Sequence, residues 1–225
     1  MKEIDVLGVT VKDCSLRESL KITDGYLRNG AMNTIVYLSS KLLVDAGANE
    51  EQRAWIQAAD LTIFGDANVL RTIKAQEHRI QEVQEDIYLR EFLKKLVRMK
   101  RKVFLLSDSK EHMDSLQQEL TEAQENLQIV RKYIMEEEGD EEQHLLNEIN
   151  ESAPSVIISR VDYAFQGKLM EEGRKFCNAD IWIGLLDAPA GASLRKSRFT
   201  KLRRMFYHLV FSFDIRKKRY EDCSK

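Results

Sequence analysis

The chain has 225 residues, 43% of them hydrophobic and 32% charged, with a net charge of -2. That composition excludes a disordered ground state and suits one large domain or two small ones. Two prolines and ten glycines argue against a loop-rich or all-β chain, and no run of about 18 apolar residues marks a membrane-spanning helix.

The near-zero net charge conceals a separation. The last 33 residues hold 11 basic against 3 acidic side chains, a net +8, and the first 192 carry -10. The opening "MKEIDVLGVTVKD" has no signal-peptide pattern, which predicts a cytoplasmic protein. The cysteines (Cys14, Cys177, Cys223) and histidines (His78, His112, His144, His208) are scattered. They form no metal or redox motif, and no metal is expected.

In chain order, a strand is predicted over 6–11 and a helix over 16–27. A strand over 34–38, a helix over 50–58 and a strand over 61–64 follow. Next come a helix over 86–98, a strand over 103–107, a helix over 111–123 and a strand over 127–130. The series continues with a helix over 141–151, a strand over 156–161, a helix over 166–176 and a strand over 181–186. Most strands are unbroken apolar runs, as in strands covered on both faces. The rhythm predicts an α/β, Rossmann-like fold, a mostly parallel sheet flanked by helices. Ligands in such sheets lie beyond the carboxyl ends of the strands. The residues there are Ser39-Ser40, Gly65-Asp66, Ser107-Asp108-Ser109, Asp162-Tyr163 and Asp187. One member of the Ser107–Ser109 trio is expected to cap the following helix. The acidic "EEEGDEE" reads as a solvated helix entry.

Residues 193–225 form a separate unit, a basic amphipathic helical appendage to an α/β domain over 1–192. Leu202, Met205, Phe206, Leu209, Val210 and Phe213 recur at helical spacing. Arginines and lysines flank them on both sides. This pattern suits an anionic membrane surface, with Lys201, Arg203, Arg204, Phe206 and Phe213 as contacts. Packing of the stripe against the domain is the competing reading. Nucleic acid is not an expected partner, since no recognised binding module is present.

Over nearly its whole length the chain resembles the bacterial WecB/TagA/CpsF-type glycosyltransferases, glycosyltransferase family 26. "VLGVTVKDCSLRESL" is similar to the family's opening hairpin. "IVYLSSKLLVDA" places Tyr37 and Ser39 on the family's Thr-x-Asn. "ADLTIFGDANVL" keeps Ala59-Asp60, but the family's catalytic aspartate falls on Gly65, with Asp66 one residue along. "KVFLLSDSKEHMDSLQQEL" is similar to the family's Gly-bearing strand and helix, without the glycines. "PSVIISRVDYAFQGK" retains Pro154 and Gln166, with Gly167 in place of Glu. "LDAPAGASLRKS" matches at Asp187, Gly191 and Arg195, and Arg216–Arg219 fall on the closing basic cluster.

The resemblance implies an enzyme moving an N-acetylhexosamine, of the N-acetylmannosamine type, from a UDP-sugar to a lipid-diphosphate-linked sugar. It implies no cofactor, a peripheral place at the inner face of a bacterial membrane, and a homo-oligomer. The substrate-binding residues it implies are Ser39, Gln166, Asp187, Gly191, Arg195, Arg216 and Arg219. Inverting transfer needs a base at the acceptor hydroxyl and neutralisation of the leaving diphosphate, which arginines supply without a metal. Asp66 is the candidate catalytic base. It also reads as a helix cap before Asn68, or as a vestige. Gln166 reads equally as a sugar or diphosphate ligand and as an early helix residue. Asp187 reads also as a turn residue before Gly191. The alternative function is a catalytically degenerate relative that binds or scaffolds.

Overall fold

The computed structural model describes residues 2–64, 85–138 and 141–185. A hairpin of β1 (Lys2–Val6) and β2 (Val9–Asp13) leads into helix α1 (Leu16–Tyr26). Strand β3 (Asn33–Leu38), helices α2 (Ser40–Ala48) and α3 (Glu50–Gln57) and strand β4 (Leu61–Phe64) follow. Then come α4 (Glu85–Arg98), β5 (Lys102–Ser107), α5 (Lys110–Ala123) and β6 (Gln128–Ile134). The short α6 (Met135–Glu138), α7 (Glu142–Ser152), β7 (Val156–Arg160), α8 (Tyr163–Phe176) and β8 (Ile181–Gly184) complete the described part.

The six strands β3 to β8 form one sheet in the order β4-β3-β8-β7-β5-β6, every pairing parallel. Side chains alternate between two cores. Val36, Leu38, Phe104, Ile157 and Trp182 join the hairpin, α2, α3, α7 and α8 on one face. Ile35, Tyr37, Val103, Leu105, Ile158 and Ile183 join α1, α4 and α5 on the other. Burial on both faces is why the strands read as unbroken apolar runs. The expected α/β layering is therefore the fold. The expected C-terminal appendage lies outside the described residues, as does the boundary at 192/193.

Three local features differ from the periodicity reading. Residues 6–11 are not one strand: Leu7 and Gly8 form a two-residue turn with φ of 55° and 85°. Both central residues lie at positive φ, the turn that matches strand twist in a tight hairpin, and Asp5 Oδ1 accepts the Gly8 N–H at 3.1 Å. Helix α2 is invisible to periodicity because Leu42, Leu43 and Ala46 run on from the apolar strand β3. Its start is set by Ser39, whose hydroxyl accepts the Leu42 N–H at 3.0 Å, and Asn49 caps α3 directly after it. Strand β6 runs on to Ile134, past the residue 130 predicted for its end. An edge strand tolerates Arg131 and Lys132, and Arg131 pairs with Glu138 and Glu148. A bulge at Val130 shifts the β5–β6 register.

Helix α1 opens with a capping box. Glu18 Oε2 accepts the Ser15 N–H at 2.8 Å, and Ser15 Oγ accepts the Glu18 N–H at 3.3 Å. Ser15→Ala is expected to cost about 1 kcal/mol in urea unfolding. Hydrogen bonds from Ser15 hold the Glu18 carboxyl below its ordinary value. A folded-state value below the unfolded one gives stability that is present at neutral pH and lost as pH falls through the folded value. The stability gap between wild type and Glu18→Gln is therefore expected to close between neutral and acid pH, read from urea melts at each pH.

Candidate active site

The carboxyl ends of the parallel strands make a polar rim. After β3, Ser39 Oγ lies 3.1 Å from the Tyr163 hydroxyl at the start of α8. Lys41 Nζ sits 5.3 Å from the centre of the Tyr163 ring, a cation–π distance. After β5, the buried Ser107 donates to the Ser109 carbonyl at 2.8 Å. Ser109 is the member of its trio that caps α5, accepting the His112 N–H at 3.3 Å. Asp108 Oδ1 lies 2.5 Å from His112 Nδ1. At the end of β7, the buried Arg160 pairs with Glu119 and reaches Ser115 at 3.3 Å. The chain leaves β5 towards β6 and leaves β7 towards β8, so the connections after these two neighbouring strands run to opposite sides, the kind of switch point at which such sheets bind ligands.

Gln166 belongs to the same rim region but points inward. It is fully buried. Its Oε1 accepts the Ser159 hydroxyl at 3.1 Å, and Ser159 Oγ in turn accepts the indole N–H of Trp182 at 2.8 Å. Gln166 follows Tyr163 by three residues, one helical turn, so Ser39 and Gln166 flank the same helix start. Ser39 and Gln166 are thus brought together through Tyr163. Asp66, Asp187, Gly191, Arg195, Arg216 and Arg219 lie outside the described residues, as do Lys201, Arg203, Arg204, Phe206 and Phe213. A groove of about 470 Å³ between α1 and α4 is lined by Leu16, Leu20 and Glu91 among others, none of them rim residues. Among the described residues, no helix is long and apolar enough to cross a membrane.

Residues 4–202 match the model of the glycosyl transferase WecG/TagA/CpsF family. The chain belongs to this family. Comparison with curated proteins gives no match. Members are glycosyltransferases of cell-surface polysaccharide synthesis, so the substrates are a sugar donor and an acceptor.

The family's Ala-Asp pair, here Ala59-Asp60, sits at the far end of β4 from the rim. Asp60 Oδ2 accepts the Thr34 N–H at 2.7 Å and binds Arg174 of α8 at 2.6 Å. It ties β3, β4 and α8 together and takes no part in the rim. Asp60→Ala is expected to cost about 1.5–3 kcal/mol, because bonds to a charged acceptor are lost. Urea denaturation measures this, and affinity for a sugar nucleotide should not change.

Sequence reading passed over Ser159, Trp182 and His112. A hydroxyl inside the apolar run "SVIIS" was the available signal for Ser159. His112, four residues after Asp108 on a helix start, was the signal for that pair.

Proposed function

We propose that the chain transfers an N-acetylhexosamine, of the N-acetylmannosamine type, from a UDP-sugar to a lipid-diphosphate-linked sugar. Transfer is inverting and metal-independent. Asp66 acts as base towards the acceptor hydroxyl, and Arg195, Arg216 and Arg219 neutralise the leaving diphosphate. Ser39, Gln166, Asp187 and Gly191 hold substrate. Residues 193–225 form a basic amphipathic appendage that leans on an anionic membrane at the inner face of a bacterial cell, and the chain works as a homo-oligomer. The observation that carries this reading is the family match over 4–202 on a parallel sheet whose rim gathers Ser39, Tyr163 and Gln166.

Calorimetry with UDP and UDP-N-acetylhexosamines is expected to show binding. Absence of heat with all of them at about millimolar concentration, the weak end of useful affinity, sinks the proposal.

A catalytically degenerate binding or scaffolding relative is the second reading, and Gly167 favours it. It stands where the family has Glu. A Cβ built there would come within 2.6 Å of Trp55 Cγ, so the indole fills the space an acid would need. Binding of UDP-sugars with no turnover on any lipid-linked acceptor would support this second reading.

A further inference from the structure

Ser159 on β7 stands directly opposite Gly184 on β8. Both face α8, and Gln166 comes down from that helix onto the pair. The Ser159 hydroxyl takes the Trp182 indole N–H. Its own hydrogen faces Gln166 Oε1 at 3.1 Å and the Ile183 carbonyl at 3.3 Å. With its hydrogen given to Gln166 Oε1, the Ser159 hydroxyl holds the oxygen end of that amide. The other end, Nε2, is turned against Gly184, where a Cβ would approach it to 2.0 Å. Among the described residues, Gln166 Nε2 is buried without a hydrogen-bond partner. A buried amide donor left unsatisfied is costly and calls for an explanation. Gly184 is the last residue of its strand, so this donor lies just beneath the carboxyl rim.

We propose that Ser159 and Trp182 are positioning residues: they fix the Gln166 amide so that Nε2 donates to an acceptor oxygen of the bound glycosyl donor beside Gly184. This rests on the reading of Gln166 as a substrate-binding residue. It adds that Ser159, a hydroxyl directly after the apolar Val156–Ile158, and the Trp182 indole N–H set the polarity of that contact. The glycine at 184 supplies the room that the amide itself occupies.

The test is calorimetric titration of the full chain with UDP and with UDP-N-acetylglucosamine, with thermal melts of every variant alongside. Gln166→Ala is expected to weaken binding by about 10-fold, the worth of one good hydrogen bond in a dry site. Ser159→Ala and Trp182→Phe, which keeps most of the ring volume, are expected to weaken it by about 3- to 10-fold. Ser159→Ala should add nothing in the Gln166→Ala background, the signature of two residues acting through one contact. Loss already seen with UDP places the acceptor oxygen on the nucleoside diphosphate; loss seen only with the sugar nucleotide places it on the hexosamine.

Wild-type affinity in both Ser159→Ala and Trp182→Phe, beside a weakened Gln166→Ala, overturns the positioning role and leaves Gln166 as a ligand. An equal loss from Ser159→Ala with and without Gln166 also overturns it, since Ser159 would then act through the fold alone. Wild-type affinity in Gln166→Ala removes Gln166 from the binding residues and the positioning role with it. No binding by the wild type overturns the proposed function as well.

Discussion

Asp66→Asn is expected to lower sugar transfer by about 10²- to 10⁴-fold, the contribution of a positioned general base. Asparagine caps a helix about as well as aspartate. The substitution therefore removes the base while preserving any capping role, and the melting temperature should hold. Asp66→Ala separates the remaining readings. A capping Asp66 makes the alanine variant less stable by about 0.5–2 kcal/mol. A vestigial Asp66 leaves both transfer and stability at wild-type level in both variants. Full transfer by Asp66→Asn would remove the base from the proposed mechanism. The result matters because, on the resemblance drawn from the sequence, the family's acid position falls on Gly65 here. A one-residue displacement turns a strand side chain to the opposite face, and the glycine just before Asp66 gives the backbone freedom to redirect it.

The largest effect on stability is expected from Trp182→Ala, at about 3–5 kcal/mol, from a total that for a domain is about 5–15 kcal/mol. Trp182 is fully buried in the centre of the sheet. Helix α8 lies so close over it that a Cβ at Gly173 would come within 2.6 Å of the indole. Deleting the ring leaves a cavity that Gly173 has no side chain to fill. The flexible Met32, whose Cε lies 3.1 Å from that same Cβ position, is placed to move in. The Ser159 hydroxyl also loses its indole donor. Urea unfolding measures the loss, and a cost below about 1 kcal/mol, well under the usual large-to-small range, would show that the close contact of α8 with β8 does not depend on the indole.

The two substitutions probe different parts of the molecule. Asp66 tests the proposed chemistry. Trp182 tests the layer beneath the rim, which holds α8 on the sheet and so presents both Tyr163 and Gln166. A variant that melts normally yet fails in transfer belongs to the first group.

The amino-acid sequence by itself determined the class of fold. Apolar runs such as "KVFLL" and "SVIIS" are unbroken because parallel strands are buried on both faces, and the helices between them show their own period. It also marked Ser39 and the Ser107–Ser109 trio, since caps and strand ends demand particular side chains at particular places, while Gln166 was legible only through the resemblance to the family. Only the tertiary structure decided the strand order, with β8 inserted between β3 and β7. That order depends on where each crossover lands, which no local pattern records. It alone set Ser159 against Gly184 and Trp182. Ser159 lies more than twenty residues from the other two in the chain, and parallel strand register brings them into one buried contact. It showed Asp60 to be an anchor at the amino end of β4, because its partners Thr34 and Arg174 come from β3 and α8 and no local pattern records them.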